Sequence, residues 1–210
     1  MNVVAINGSP RHDGNTGIAL DCMAGELRNE GIPTEIIHVG NMLLHGCIGC
    51  SHCFSSENNL CVFQDDGLNA IMSRMREADG LIIGSPTYFG GIPGTLKCFL
   101  DRVFYASRKT CALCNKVGAA VVAVRRAGGV DVFRQINNYF TLSEMVIPPS
   151  QYWVVGYGMA KGEIRQDAEG MQTVRRNANA MAWQLKVIAA AKGSIPLPRD
   201  EKREMMNFIR

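Results

Sequence analysis

Short apolar runs rich in β-branched residues alternate along this chain with longer stretches in which apolar residues recur every three or four positions. The first run, Asn2 to Asn7 (NVVAIN), is stopped by a Gly/Ser/Pro loop and has the pattern of a buried strand. Ile18, Leu20, Met23 and Leu27 then carry helical spacing through Thr16 to Glu30, which Gly31 and Pro33 end. A second strand is predicted at Thr34 to Val39. A helix follows at Asp66 to Ala78, marked by Leu68, Ile71, Met72 and Met75, with Asp65 or Asp66 as its N-cap. Leu81 to Ser85 reads as a third strand and Thr95 to Tyr105 as a helix. VGAAVVAV, from Val117, reads as a fourth strand, followed by a helix carrying Phe133, Ile136 and Phe140. The fifth strand is placed at YWVVGYG, from Tyr152, and the last helix at about Asp167 to Ala191.

Strands that alternate with helices imply right-handed crossovers and a parallel sheet covered on both faces. Five such units fit an α/β doubly wound sheet of order 2-1-3-4-5, the flavodoxin-like arrangement. Residues 1–191 are therefore expected to form one domain. Residues 192–210 form a tail that breaks after two prolines and closes on Met205, Met206, Phe208 and Ile209. Such a tail is too short to bury its apolar face alone, so it packs back on its own domain or docks on a neighbouring subunit.

Composition narrows the function classes. A chain of 210 residues buries an ample core without disulfide staples. The net charge of +3 is small and its basic residues are scattered, which argues against a nucleic-acid partner. MNVVAINGSP shows neither a basic leader nor a signal-length apolar run, and no segment approaches ~18 consecutive apolar residues. The expectation is a soluble cytoplasmic protein with no membrane contact. In that reducing compartment, clustered cysteines are more often ligands or redox groups than disulfides.

Two segments carry candidate chemistry. Gly8 to Gly17 (GSPRHDGNTG) joins the first strand to the first helix, where ligands bind in an open parallel sheet. Ser9, Asn15 and Thr16 offer side-chain donors, Arg11 a charge, and the helix start free N–H groups, a set suited to a phosphate. Neither G-x-G-x-x-G nor G-x-x-x-x-G-K-[ST] is present, so a monophosphate fits better than a dinucleotide or a triphosphate.

The second segment, GCIGCSHCFSSENNLCVFQDD (46–66), holds four of the eight cysteines as C-x2-C-x2-C-x7-C: Cys47, Cys50, Cys53 and Cys61. An overlapping triplet gathers its sulfurs only if the backbone curls, as in ferredoxin-type loops, and the seven-residue spacer lets Cys61 return as a fourth ligand. A [4Fe-4S] cluster is the leading reading. Zinc is the main inorganic competitor, although structural zinc usually takes two separated C-x2-C pairs; metal-free thiols are the third. His52 is expected to be exposed, the Cys111/Cys114 pair incidental, and Cys22 and Cys98 small hydrophobes on helices.

GSPRHDGNTG, the cysteine cluster leading into DD, SPTYFGGIPGTLKCFLDR (85–102) and AVRRAGG (123–129) together resemble the flavodoxin-like NADPH-dependent FMN reductases, and within them the iron-sulfur flavoproteins. The resemblance spans residues 1 to about 130. It implies that Ser9, Arg11, Asn15 and Thr16 hold the FMN phosphate and that Pro86, Thr87, Tyr88, Phe89 and Gly90 line the isoalloxazine ring. Arg125, Gly128 and Gly129 follow the fourth strand and would complete the site, with donors toward the flavin's N1 and O2 side. The implied activity is an FMN-dependent oxidoreductase with a [4Fe-4S] cluster, moving electrons between ferredoxin or NAD(P)H and small acceptors. Homo-oligomers, dimer or tetramer, in which cluster and flavin meet across an interface are implied as well. Two alternatives stand beside it: an NAD(P)H-dependent FMN or quinone reductase without a cluster, and a non-catalytic FMN- or zinc-binding electron carrier or interaction module.

Overall fold

The computed structural model describes residues 1–199, 201, 204 and 206. Its five strands are β1 (Val3–Asn7), β2 (Thr34–His38), β3 (Gly80–Pro86), β4 (Val117–Val124) and β5 (Val155–Tyr157), all parallel and in the predicted order β2-β1-β3-β4-β5. The helices are α1 (Asn15–Asn29), α2 (His52–Ser55), α3 (Leu68–Glu77), α4 (Gly94–Ser107), α5 (Gly129–Leu142) and α6 (Ala168–Ala191), with a 3-10 turn at Glu163–Gln166. None of the described helices is long and apolar enough to cross a membrane.

The alternating side chains of each strand feed two cores. Val3, Ala5, Ile82, Val117, Ala119 and Val121 face α1 and α6, where they meet Leu20, Met23, Val174 and Met181. Val4, Ile6, Leu81, Ile83, Ala120 and Val122 face α3, α4 and α5, against Met72, Phe99, Val103 and Ile136. All eight residues of β4 are buried, as a central strand covered on both faces must be.

Two predicted starts move by two residues or more. β5 begins at Val155 rather than Tyr152, and Tyr152 and Trp153 stay largely exposed beside it; pairing starts where Val154 accepts the amide of Val122 at 3.0 Å. The start of α3 moves past both aspartates to a left-handed Gly67, and Asp66 receives the amide of Leu68 at 3.2 Å while its other oxygen is taken by Arg102. α2, within the cysteine segment, has no periodic signature at four residues. Beyond α6, Ile195 and Leu197 are exposed, and the apolar end of the tail at Met205, Phe208 and Ile209 lies outside the described residues.

Candidate functional site

Parallel strands all end at one sheet edge, and the loops after β1, β3 and β4 converge there. The loop after β1 is shaped by Asn7, a residue the sequence reading missed. Its amide nitrogen donates to the His12 carbonyl at 3.0 Å and its oxygen accepts the Ser9 amide at 3.0 Å. The Arg11 amide in turn donates to the Ser9 hydroxyl at 3.1 Å, and the His38 ring sits 2.7 Å from the Ser9 carbonyl. α1 then starts at Gly14 with no capping side chain and no acid in its first turn. Its positive end is left to attract an external anion.

A cleft of about 140 Å³ at this edge is lined by Ser9, Arg11, Asn15 and Thr16, by Pro86, Thr87 and Tyr88, and by Arg125. Eight of the twelve residues singled out for a flavin thus share one cleft. Gly158 and Met159 add a wall that no sequence motif marks. Asn15 is committed differently from the phosphate role given to it: its amide donates to Ala160 O at 2.9 Å and accepts from Gly162 N at 2.9 Å. It holds the loop after β5 against α1.

The other four candidates sit outside the lining. Phe89 occupies a left-handed turn and is fully exposed, and Gly90 beside it is also left-handed (φ 72°). Gln135 on α5 latches this turn, donating to Gly90 O at 3.3 Å and accepting from Ile92 N at 3.4 Å. Gly128 packs so tightly that an added Cβ would come within 3.0 Å of Gly90 Cα, whereas Gly129 is buried at the start of α5 against Val155 and Val124.

The four cysteines also share a cavity, lined by Cys47, Cys50, Cys53 and Cys61 together with Phe63, Arg102 and Tyr105. Left-handed residues at Gly49 (φ 65°) and Ser51 (φ 57°) flank Cys50 and supply the curl that an overlapping triplet requires. Cys47 and Cys50 are exposed, Cys53 is buried on α2, and His52 is exposed as expected. Burial pushes the Cys53 thiol up from its ordinary value, and the negative charge that Cys61, Cys47 and Cys50 would carry as thiolates adds to the rise.

Cys61 is held from two helices. Asn69 of α3 accepts its amide at 2.9 Å and donates to its carbonyl at 3.0 Å; Arg102 of α4 donates from Nε to its Sγ at 3.2 Å. Arg76 secures the spacer by donating to Asn59 O at 2.8 Å. Among the described residues, no three of the four cluster sulfurs fall within 4.8 Å of one another. One zinc ion at ~2.3 Å from each sulfur would draw them closer than that, whereas an iron-sulfur cube spreads its thiolates wider. Arg102 is fully buried and its Nη2 has no hydrogen-bond partner, a donor suited to an anionic occupant. The donor set therefore fits a [4Fe-4S] cluster.

Elsewhere, the sulfurs of Cys111 and Cys114 form a disulfide in a turn after α4, close to Glu144. Turn geometry, with Cys111 left-handed and the Cα atoms 5.2 Å apart, joins a pair that the sequence reading took as incidental. Cys98 is half-buried on α4, and its sulfur lies 3.8 Å from where a Cβ on Gly46 would stand.

Residues 1–160 match the family model described as NADPH-dependent FMN reductase. An iron-sulfur flavoprotein of Methanocaldococcus jannaschii is 37% identical over 195 residues, covering 90% of this chain and 99% of that protein. Another, from Methanosarcina thermophila, is 31% identical over 190 residues, covering 90% and 97%. Among solved structures, RosB with a bound riboflavin-phosphate intermediate superposes with a TM-score of 0.70 at 16% identity, covering 100% of this chain and 92% of that one. At that identity the likeness shows the fold.

Proposed function

Since the chain belongs to the iron-sulfur flavoprotein branch of the NADPH-dependent FMN reductase family, we infer that this FMN-dependent oxidoreductase carries a [4Fe-4S] cluster on Cys47, Cys50, Cys53 and Cys61. The single observation that carries the reading is that all four cysteines, which fall within a span of 15 positions, line one cavity. Electrons pass between NAD(P)H or ferredoxin and small acceptors. FMN supplies transfer of two electrons or of one, and the cluster handles one at a time.

The chain's own residues bind and orient. Ser9, Arg11, Thr16 and the uncapped start of α1 would receive the phosphate, and Asn15 braces the loop after β5, which lines the same cleft. The cleft is smaller than a whole flavin, so Thr87, Tyr88, Phe89 and Gly90, a turn that Gln135 keeps in shape, would line the ring along its open rim. Arg125 lines the same cleft, Gly128 packs against Gly90 of that rim, and Gly129 follows it at the start of α5. Exposed Tyr88, Trp153 and Trp183 support a homo-oligomer, dimer or tetramer, and exposed Ile195 and Leu197 support docking of the 192–210 segment on a neighbour beside the 1–191 domain.

Anaerobic purification followed by assay of flavin, iron and acid-labile sulfide tests the reading. One FMN with about four irons and four sulfides per chain is expected. Iron-free protein with FMN would sink the cluster, and stoichiometric zinc would replace it with a structural site. A second expectation concerns the cleft. Asn15→Ala removes two hydrogen bonds to the 158–164 loop at about 1 kcal/mol each, so flavin affinity should fall by up to roughly thirtyfold in a fluorescence titration. Unchanged affinity would take that loop out of the site.

A further inference from the structure

We propose that Arg102 fixes Cys61 as the fourth ligand and raises the reduction potential of the cluster, acting as a positioning residue from α4. The inference rests on the cluster reading above and goes beyond it, because no cysteine pattern assigns a role to an arginine 41 residues away.

The local chemistry is specific. Arg102 has no exposed side-chain surface, and every contact of its guanidinium points at the cysteine segment. Nε donates to Cys61 Sγ at 3.2 Å; Nη1 donates to the Asp66 carboxylate and to His45 O at 3.4 Å. One face lies over the Phe63 ring at 5.0 Å, and that ring stacks on His45, also at 5.0 Å. Nη2 alone is buried without a partner.

A buried guanidinium with a spare N–H is costly unless something accepts it. Asp66 balances its charge, yet Asp66 is held by Nη1, leaving Nε on the sulfur and Nη2 free. In a cavity lined by four cysteines the matching acceptor is sulfur carrying negative charge. A thiolate at Cys61 would strengthen the Nε bond, and Nη2 can serve a second sulfur of the cluster. A cluster on four thiolates is an anion and becomes more negative on accepting an electron. Hydrogen bonds and positive charge at its sulfurs therefore favour the reduced form. The guanidinium's planar fork allows one residue to meet Cys61, Asp66 and a third acceptor together, which an ammonium cannot.

The test is anaerobic potentiometric titration of the purified holoprotein, following the cluster and FMN separately, for wild type, Arg102→Gln, Arg102→Lys and Asp66→Asn. Arg102→Gln should lower the cluster's reduction equilibrium about tenfold, or about 59 mV for one electron, with the FMN potential unmoved. Arg102→Lys should fall between the two. Asp66→Asn, which frees the arginine's charge, should shift the cluster the other way. If Arg102→Gln fails to hold iron, the sign of the Asp66→Asn shift decides: upward supports the proposal, and no shift or a downward one overturns it. An intact cluster with an unmoved potential in Arg102→Gln also overturns it. Wild-type protein isolated without iron would instead bring down the cluster reading itself, so the two failures are separable.

Discussion

Cys50→Ala is expected to abolish the iron chromophore and leave FMN in place. Cys50 lies between two left-handed residues at the exposed tip of the loop, so its side chain packs against little and its loss leaves the fold intact. Losing one of four thiolates leaves one iron without its cysteine and the cluster labile, so iron should drop from about four per chain toward zero. The flavin should remain because the cleft is built from the loops after β1, β3, β4 and β5 and shares no lining residue with the cysteine cavity. Iron, sulfide and flavin assays on one anaerobic preparation check both halves. Joint loss of flavin and iron would mean that the two sites form one cooperative unit.

Gly40→Ala should produce the largest loss of flavin binding from a residue that touches no ligand. A Cβ on Gly40 would stand 1.9 Å from Ser9 O and 2.2 Å from Ser9 C. Both are backbone atoms of the loop after β1, held by Asn7 and His38, so no side chain can swing aside. The loop must lift, at a cost of about 3 kcal/mol by the scale of overpacked cores, and the melting temperature should fall by about 10 °C. Flavin fluorescence together with thermal unfolding reads both effects. A variant that keeps wild-type flavin affinity and stability would show that the loop is not fixed by its contact with the end of β2.

Much of this architecture was legible because burial on both faces imposes continuous apolar runs on a parallel strand and a three-to-four repeat on the helices that cover it. VVAIN, TEIIH and VGAAVVAV carried their strands with shifts of at most a residue or two. β5 was overdrawn because YWVV is apolar whether or not it pairs, and only Val155 onward finds β4. The candidate site was legible where its pattern is local: GSPRHDGNTG at a strand end, and cysteines spaced for a curled loop. It was not legible where a residue acts across the chain. Asn15 meets Gly162 147 positions away, Gln135 meets Gly90 45 away, and Arg102 meets Cys61 41 away.

By itself the sequence determined the types of the strands and long helices, the strand-end location of the Gly8–Gly17 loop and the curl that the cysteine spacing demands, because each depends on residues within one turn or one loop. The tertiary structure alone decided which loops share the cleft, that Asn15 braces rather than binds, and that α4 joins the two sites. Its first residue, Gly94, follows the flavin-rim loop, and Arg102 lies about 12 Å further along a rigid helix, beside Cys61. That spacing is a property of packed helices, and packing brings together residues that no local pattern connects.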